Sequence, residues 1–369
     1  MASDGESPQA LAEALVDRAL RVRRGENLIV EAWTHCLPYA SACVARAREL
    51  GARPMLLVED EAAYWSSVEK AAGSGGWTRP GAHEWAALSR TDAYLFFPGP
   101  ADRPRWRALP MKLRSALVGY NADWYRRARA ARLRGVRCLL GYASDAQAAY
   151  WGVSGPEWRR SIARGIVDAR LPAIGRAGRS AANKLRKGKV VRITAPNGTD
   201  VTVRLRGRAP VLDDGEVSRD DVRLGHNVTA SPPGTVVVAV DEKSAKGIAI
   251  ANRPSFLAGG RAEGGEWEIS GGRLAGFRYT SGQNEFEGAY RNAPKGREVV
   301  SLLSVGLHPT LGPGVPQAED QEAGAVTLGI GGNEEYGGSN RTPFMSWIVV
   351  GEATVAVDGR PLCDRGQLF

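Results

Sequence analysis

The amino-acid sequence predicts an α/β N-terminal domain with a doubly wound, mostly parallel sheet, followed by a β-rich α+β C-terminal domain. Three observations lead to this prediction. The chain has 369 residues, more than one ordinary domain holds. Up to about residue 170, helix-like segments alternate with short apolar strands, as in a parallel sheet. Beyond that point, short strands separated by Gly, Pro and Asn dominate. The expected domains are therefore 1–172 and 173–369.

The elements of the first domain follow from its apolar periodicity. An opening helix is expected because Leu11, Leu15, Ala19 and Val22 lie on one helical stripe, which ends before Gly25. Further helices are expected at 38–50 and 122–134, and strands at 27–32, 54–58, 93–97, 115–119 and 136–140. Because none of the turns carries G-x-G-x-x-G, the sequence contains no dinucleotide-binding fingerprint.

The second domain opens with a basic helix at 176–186 and a hairpin. The strands at 190–194 and 201–205 flank Pro196-Asn197-Gly198, and Asn-Gly between two alternating apolar runs is a strong hairpin signal. More strands are expected at 235–240, 248–251, 267–270, 299–305, 325–330, 348–350 and 353–357.

Composition and charge restrict the class of protein. Hydrophobic residues make up 43% and charged residues 24%, the balance of a soluble protein with a sizeable core. The N-terminus lacks a basic, then apolar leader, and no apolar run approaches the roughly 18 residues that cross a bilayer, so a cytoplasmic protein without membrane contact is expected. The net charge of +9 permits nucleic-acid binding. However, most basic residues are Arg, as GC-rich genomes favour, and no aromatic platform interleaves with them, so nucleic acid is not expected as a partner.

The four cysteines are expected to be buried thiols. Cys36, Cys43, Cys138 and Cys363 include no C-x-x-C pair and are too few for a disulfide framework. Cys36 follows His35, but a catalytic dyad forms across space and not between sequence neighbours, so Cys36 as a nucleophile is the weaker alternative.

Candidate chemistry concentrates in the C-terminal half. An acidic run, Glu319-Asp320-Gln321-Glu322, precedes an apolar strand, and a glycine-rich loop over 331–340 follows that strand. Long irregular loops between strands usually carry binding or catalysis, although such loops can also simply turn corners.

The order of these segments resembles the thermophilic aminopeptidase T family, to which the iron-dependent 2,5-dihydroxypyridine dioxygenases are similar in fold. The segment 11–30 resembles the opening helix and strand of the family, and 197–202 resembles its Gly-Thr-Asp hairpin. Pro232-Pro233-Gly234 resembles its Pro-x-Gly-Glu turn, with 242–247 just after it, and 324–347 follows its C-terminal pattern without a gap. The resemblance implies a C-terminal domain of the aminopeptidase T type, a homodimer, and a cleft for a small-molecule or peptide-like substrate.

The resemblance also implies a metal site whose ligands are missing here. The family's glutamate after the Pro-x-Gly turn falls at Thr235, and its second glutamate falls at about Leu302. Its first histidine falls at Thr327, and its H-x-D pair falls at Met345 and Trp347. A divalent cation needs carboxylate or imidazole ligands, which these side chains do not provide. We therefore expect no metal and no other cofactor.

Other side chains could supply chemistry in the same region. His308 stands at the family's Asn position and can act as acid or base, or simply line the cleft. Asp320 or Glu322 can act as a general base or lie on a solvent-facing turn. Tyr336 can donate a hydrogen bond to a substrate oxygen. The substrate-binding candidates are Thr235, Thr327, Asn340, Met345 and Trp347; the last two can stack against a flat ligand or merely fill the core.

Three functions remain open from the sequence. The first is a metal-independent enzyme acting on a small amide, amino-acid-derived or aromatic metabolite, in the hydrolase-like chemistry of the family or in specialised-metabolite biosynthesis. The second is a non-catalytic binding or scaffold subunit. The third is a working metallo-aminopeptidase, which the ligand substitutions disfavour.

Overall fold

The computed structural model describes residues 7–70, 80–257 and 260–369. The chain separates into two compact units, of which the first comprises Met1–Asp168 with Gly215–Pro232, and the second comprises Ala169–Asp214 with Pro233–Phe369. The segment Gly215–Pro232 therefore returns to the first unit, to which it adds a strand that the sequence periodicity did not predict.

The elements are given in chain order. Up to residue 168 they are α1 (Pro8–Ala12), a π-helical segment (Glu13–Ala19), β1 (Asn27–Trp33), a 3-10 turn (Thr34–Cys36), α2 (Leu37–Glu49), β2 (Arg53–Glu59), α3 (Glu61–Lys70), α4 (Ala82–Leu88), β3 (Ala93–Phe97), α5 (Arg103–Ala108), α6 (Met111–Val118), α7 (Asn121–Ala131), β4 (Arg134–Cys138), a 3-10 turn (Leu139–Tyr142), α8 (Asp145–Trp151) and α9 (Gly155–Val167). From residue 169 they are α10 (Leu171–Lys187), β5 (Val190–Thr194), β6 (Asp200–Arg204), β7 (Val211–Asp213), α11 (Arg219–Leu224), β8 (Val228–Ser231), β9 (Thr235–Ala239), β10 (Lys246–Ile250), β11 (Ser255–Leu257), β12 (Gly260–Ala262), β13 (Glu266–Ser270), β14 (Arg273–Arg278), α12 (Gln283–Arg291), β15 (Val300–Gly306), β16 (Val326–Gly331), a 3-10 turn (Glu334–Tyr336), β17 (Met345–Val350), β18 (Thr354–Val357), β19 (Arg360–Asp364) and β20 (Gln367–Leu368).

The first unit is a parallel α/β sheet with the strand order β2-β1-β3-β4-β8. This order is that of doubly wound folds. Ile29 and Tyr94 face a cluster formed with Leu88 of α4 and Ala128 of α7. Helix α2 packs against β1 and β2 but contributes no side chain to that cluster, as expected for a helix on the opposite face. The predicted α/β class is therefore confirmed.

One predicted strand is wrong. The segment 115–119 belongs to helix α6 (Met111–Val118), not to the sheet. A short apolar run such as Ala116-Leu117-Val118 does not by itself distinguish strand from helix, and the spacing of Leu113 and Leu117 places both on one helical face. The strand that completes the sheet comes instead from β8, about a hundred residues later in the chain.

The second unit stacks two antiparallel sheets. The larger sheet has the order β14-β13-β10-β6-β5-β18-β19-β20, and the smaller has the order β17-β16-β15-β9-β7. Both contribute to one hydrophobic core, which helices α10 and α12 also join through residues such as Leu185 and Phe286. The predicted hairpin pairs β5 with β6, and Gly198 has φ of 97°, as the turn requires. The β-rich second domain is confirmed.

Two further predictions can be compared with the described residues. All four cysteines are free and buried, and burial raises the pKa of the Cys36 thiol, so Cys36 is not an activated nucleophile. In the part of the chain that the structure describes, no helix has both the length and the apolarity that a bilayer crossing requires.

Candidate functional site

The positions at which the sequence resemblance implies metal ligands lie on one face of the smaller sheet of the second unit. Thr327 pairs with Ser304 on one side and with Val349 on the other. Because side chains alternate along a strand, residues in register on neighbouring strands share a face. One row of this face therefore contains Val349, Thr327, Ser304 and Val237, in the order β17, β16, β15 and β9.

The next rows hold the remaining substituted positions. Gly329 pairs with Trp347 on one side and with Leu302 on the other. The side chains of Trp347 and Leu302 therefore lie on either side of Gly329, which has no side chain. Met345 lies beyond them on β17, and Thr235 lies at the start of β9, where it pairs with Gly306. The structure thus brings Thr235, Thr327, Met345 and Trp347 to one face, which we call the site face.

The opposite face of the same strands belongs to the hydrophobic core. Leu303, Val305, Leu328, Ile348 and Val350 all lie in that core, and they alternate with the residues of the site face. The sheet therefore holds the backbone of the site face on a rigid, closely packed layer.

The loop between β15 and β16 lies over one end of the site face. Gly306 belongs to this face, and a Cβ atom on it would come within 2.0 Å of the carbonyl oxygen of Glu322. Backbone hydrogen bonds hold the loop there: the His308 amide donates to the Gln321 carbonyl over 2.8 Å, and the Ala323 amide donates to the His308 carbonyl over 3.1 Å. The acidic run is thereby fixed above the sheet.

His308 is fully buried, with 0% of its surface exposed. Its ring Nδ1 accepts a hydrogen bond from the backbone amide of Leu311 at 3.1 Å. This geometry closes the turn that follows β15 and engages one of the two ring nitrogens in backbone structure. The candidate role of His308 as an acid or base stays a prediction.

The two acidic candidates are in different surroundings. Glu322 forms a bidentate ion pair with Arg253, with 2.8 and 2.9 Å between nitrogen and oxygen atoms, and both side chains are largely buried. Both oxygens of this carboxylate are therefore engaged by one guanidinium group. Asp320 is half-buried. The loop thus uses Glu322 to anchor itself to Arg253.

Glu319, the first acid of the run, has an unusual environment. It is 1% exposed, and its Oε1 accepts a hydrogen bond of 3.2 Å from the indole Nε1 of Trp347, while Oε2 has no hydrogen-bond partner among the described residues. Burial, helped by the charge of Asp320, raises the pKa of Glu319 from 4.5 to about 8. At neutral pH the carboxyl is therefore largely protonated and can donate a proton.

Two hydroxyl groups of the site face share this lack of partners. The Oγ of Ser304 and the Oγ1 of Thr327 are buried, and neither has a hydrogen-bond partner within the described ranges. Burial of an unpaired hydroxyl is unfavourable, so polar groups of this kind in a folded protein need an explanation such as a ligand or a bound water. Glu319 lies on the same side of the sheet, since it contacts Trp347.

The glycine-rich loop between β16 and β17 carries the last two candidates. Asn340 donates through Nδ2 to the carbonyls of Gly296 and Gly331 at 2.8 and 2.7 Å, so it holds the loop in place. Tyr336 is half-buried in the 3-10 turn that packs against β9. Substrate binding by Asn340 and a hydrogen bond from Tyr336 to a substrate oxygen stay predictions.

Glu242 fixes this loop from outside. It accepts hydrogen bonds from the Ser339 amide at 2.9 Å and from Asn333 Nδ2 at 3.1 Å, and it pairs with Arg208 at 2.9 Å. Burial opposes ionisation of Glu242, but these donors outweigh it and lower its pKa to about 2. Glu242 is therefore an anion at neutral pH, and it positions the loop.

The metal that the sequence resemblance implies does not fit the side chains of the site face. Thr235, Thr327, Leu302, Met345 and Trp347 offer no carboxylate and no imidazole. Within residues 7–70, 80–257 and 260–369, no three or more His, Cys, Asp or Glu side chains are grouped so that they could hold a metal ion.

The sequence analysis did not single out Glu319 or Ser304. Glu319 belongs to the acidic run that the sequence does reveal, but nothing in the run indicates which of its acids is buried. Ser304 has no sequence signal beyond its place in an apolar strand. Its significance comes only from the pairing with Thr327.

Two solved structures share this fold. Wild-type AmpT from Thermus thermophilus matches with a TM-score of 0.70 at 18% sequence identity, over 99% of this chain and 100% of that chain. A 2,5-dihydroxypyridine dioxygenase from Pseudomonas putida KT2440 matches with a TM-score of 0.66 at 14% identity, over 100% of this chain and 98% of that chain. No protein-family model and no curated protein sequence matches the chain. The likeness to these structures establishes the fold that the sequence motifs imply.

Proposed function

We propose that this protein is an enzyme with an aminopeptidase-like fold that works without a bound metal. Its substrate would be a small amide, amino-acid-derived or aromatic metabolite, and specialised metabolism is a suitable setting. The observation that carries the proposal is Glu319, a buried carboxyl with an unpaired oxygen, on the side of the sheet that also holds the unpaired hydroxyls of Ser304 and Thr327. Groups with perturbed pKa values and unmet hydrogen bonds concentrate at functional sites.

In this proposal Glu319 is a general acid. A water molecule would attack the carbonyl carbon of the substrate, the bond to the leaving nitrogen or oxygen would break, and that atom would take the proton of Glu319; the proton lost by the attacking water would pass to solvent, from which Glu319 would be reprotonated. The hydroxyls of Ser304 and Thr327 would hydrogen-bond to polar substrate atoms, and the indole of Trp347 would bind a flat or apolar portion. The homodimer implied by the sequence resemblance is part of the same proposal.

The test begins with activity and metal content. Purified protein is analysed for bound metal and assayed against aminoacyl chromogenic amides and aryl amides, with and without EDTA, cobalt or zinc. We expect activity that chelation does not change and that falls as pH rises through about 8, the pKa of Glu319. Stoichiometric metal, or peptidase activity that EDTA abolishes, would overturn the proposal in favour of a metallo-aminopeptidase.

A matched pair of variants tests the role of Glu319. Glu319→Gln keeps the shape of the side chain but removes the acid, so kcat should fall by about 10²- to 10⁴-fold. Glu268→Gln, at an exposed position on β13, makes the same chemical change away from the site face and should leave kcat unchanged. Equal activities of the two variants would contradict the assignment.

A non-catalytic binding subunit is the second candidate, and one observation favours it. Leu302 is buried on the site face and Trp347 is half-buried there, so apolar side chains fill positions at which the sequence resemblance implies polar metal ligands. If no turnover is found with any amide, but aromatic amides bind and quench Trp347 fluorescence, with the quenching lost in Trp347→Phe, this second function is the correct one.

A further inference from the structure

The first unit contains a cluster of three arginines that have no acidic partner among the residues that the structure describes. Arg103 and Arg107 lie one turn apart on α5, and Arg114 lies on α6; all three are half-buried. The guanidinium carbons of Arg103 and Arg114 are each 5.9 Å from the centre of the Trp106 ring. The guanidinium carbon of Arg107 is 5.2 Å from the Trp151 ring. We call these three residues the arginine cluster.

The arginine cluster differs from other arginines of the same unit. Arg105, on the same helix, pairs with Glu69, and Arg46 pairs with Asp17 at 2.6 Å. By contrast, none of the three cluster arginines forms an ion pair with a carboxylate of the described chain. Aromatic rings favour a nearby cation, but they do not cancel the repulsion between cations.

The charges of the cluster act on each other. Burial, together with the charges of Arg103 and Arg114, lowers the pKa of Arg107 to about 10. Burial also lowers the pKa of Arg103, with the charge of Arg137 adding to the effect. Like charges held together out of water destabilise the folded protein unless an anion neutralises them.

Unmet hydrogen bonds of two cluster arginines, and of a buried amide on the adjoining helix α8, provide an independent observation. Nη1 of Arg107 and Nε of Arg114 are buried and have no hydrogen-bond partner in the described ranges. Gln147 on α8 is 0% exposed, and neither its amide nitrogen nor its amide oxygen has a partner there. Gln147 is one helical turn from Trp151, whose ring Arg107 contacts, and α8 packs against α5. Three buried donors, on Arg107, Arg114 and Gln147, thus lack an acceptor among the described residues.

We propose that Arg103, Arg107 and Arg114 bind the phosphate group of a small phosphorylated ligand, with the Gln147 amide as an additional donor. A phosphate ester carries a charge of about −2 and three acceptor oxygens, which suits several guanidinium groups, whereas one bidentate arginine serves a carboxylate. Arg103 and Arg114 lie against the Trp106 ring and Arg107 lies against the Trp151 ring of the adjoining helix α8, so the cluster is compact and is not an extended basic stripe; it fits one anionic group better than a nucleic-acid backbone. This site does not depend on the chemistry proposed at Glu319.

Thermal unfolding of the full-length protein with defined probes tests the proposal. Inorganic phosphate, inorganic pyrophosphate and adenosine 5′-monophosphate are titrated at constant ionic strength, with sodium sulfate and a single-stranded oligonucleotide as comparison probes. We expect a saturable rise in Tm with at least one phosphate probe. The oligonucleotide should have a smaller effect at an equal concentration of anionic groups, whereas sulfate, a dianion of the same shape, should compete with the phosphate probes for the cluster.

Charge-removing variants identify the residues. Arg107→Gln and Arg114→Gln should each weaken binding of the phosphate probe by about 10-fold or more, since each removes a charged hydrogen-bond donor. Arg48→Gln, at an exposed position of α2, makes the same change in net charge and should bind as the unmodified protein does. Without ligand, Arg107→Gln and Arg114→Gln should melt at the same or a higher temperature, because the repulsion is relieved.

Several outcomes would overturn the proposal. One is the absence of a saturable Tm rise with every phosphate probe. Another is a lower ligand-free Tm in both variants together with unchanged binding, which would give the arginines a purely structural role. Tighter binding of the oligonucleotide than of all phosphate probes, with a steep salt dependence, would assign the cluster to nucleic acid. If Arg107→Gln does not fold, Arg107→Lys retains the charge and should lower affinity through loss of the planar donor pair.

Discussion

Replacement of Glu319 by Gln should change how the stability of the protein depends on pH. The folded-state pKa of this carboxyl is raised to about 8, above the ordinary value of 4.5 that it regains on unfolding. Between these two values the folded state binds more protons than the unfolded state, so the free energy of unfolding falls as pH rises. This contribution is fully present below the lower pKa and is lost above the higher one.

The magnitude follows from the two pKa values. Each pH unit inside this window lowers the free energy of unfolding by about 1.4 kcal/mol, so this group alone removes on the order of 4 kcal/mol between about pH 5 and pH 9. Gln cannot ionise, and it fills nearly the same volume beside Trp347. In the Glu319→Gln variant that part of the pH dependence should therefore disappear.

Urea unfolding monitored by circular dichroism at five pH values from 5 to 9 measures the effect. The quantity compared is the difference in free energy of unfolding between the unmodified protein and Glu319→Gln, with Glu268→Gln as the control at an exposed site. The reasoning is refuted if that difference changes by less than about 1 kcal/mol over the range, since Glu319 would then be ionised in the folded protein at neutral pH.

Three further predictions concern the groups around the site face. Trp347→Phe removes the hydrogen bond that the indole donates to Glu319, so the free energy of unfolding at pH 6 should fall by about 1–3 kcal/mol in urea titrations; no loss would mean that the indole contact does not stabilise the fold. Gly306→Ala places a Cβ atom 2.0 Å from the Glu322 carbonyl oxygen, so it should destabilise the protein by about 1–3 kcal/mol and reduce any turnover. An alanine variant that is as stable and as active as the parent would exclude this close approach. Glu242 has a folded-state pKa of about 2 against 4.5 when unfolded, so its contribution, present above pH 4.5, should be lost as pH falls towards 2. That loss is on the order of 3 kcal/mol and should be absent from Glu242→Gln in acid-unfolding curves; parallel curves for the two proteins would contradict it.

Local sequence determined the elements whose signals are short-range. The turn over Asn197-Gly198 requires only its own residues and their alternating neighbours, and the hairpin β5–β6 is where the sequence predicts it. The strand 93–97 is likewise found as β3 with the same bounds. By contrast, the predicted strand 115–119 lies almost wholly in helix α6, which ends at Val118, because so short a run carries no periodicity and its neighbours in the chain fold as a helix.

The site depended on long-range contacts. The sequence motifs predicted that Thr235, Thr327, Met345 and Trp347 belong together, and strand register places them on one face. The sequence did not reveal which acid of the run at 319–322 would be buried without a charged partner. That outcome depends on two distant residues, because Glu322 pairs with Arg253 and Glu319 lies against Trp347.

The arginine cluster illustrates the same division. Composition revealed an excess of Arg, and the densest basic stretch along the chain was elsewhere, at 159–192. Arg103, Arg107 and Arg114 became notable only when folding placed them around Trp106 and Trp151 without a carboxylate within the described chain. The sequence by itself determined the two fold classes and the hairpin, and it gave the residue types at the motif positions 235, 302, 327, 345 and 347, which carry neither carboxylate nor imidazole. Only the tertiary structure decided which charges are buried and which hydrogen bonds are unmet, because desolvation and pairing depend on what distant segments bring to the same place.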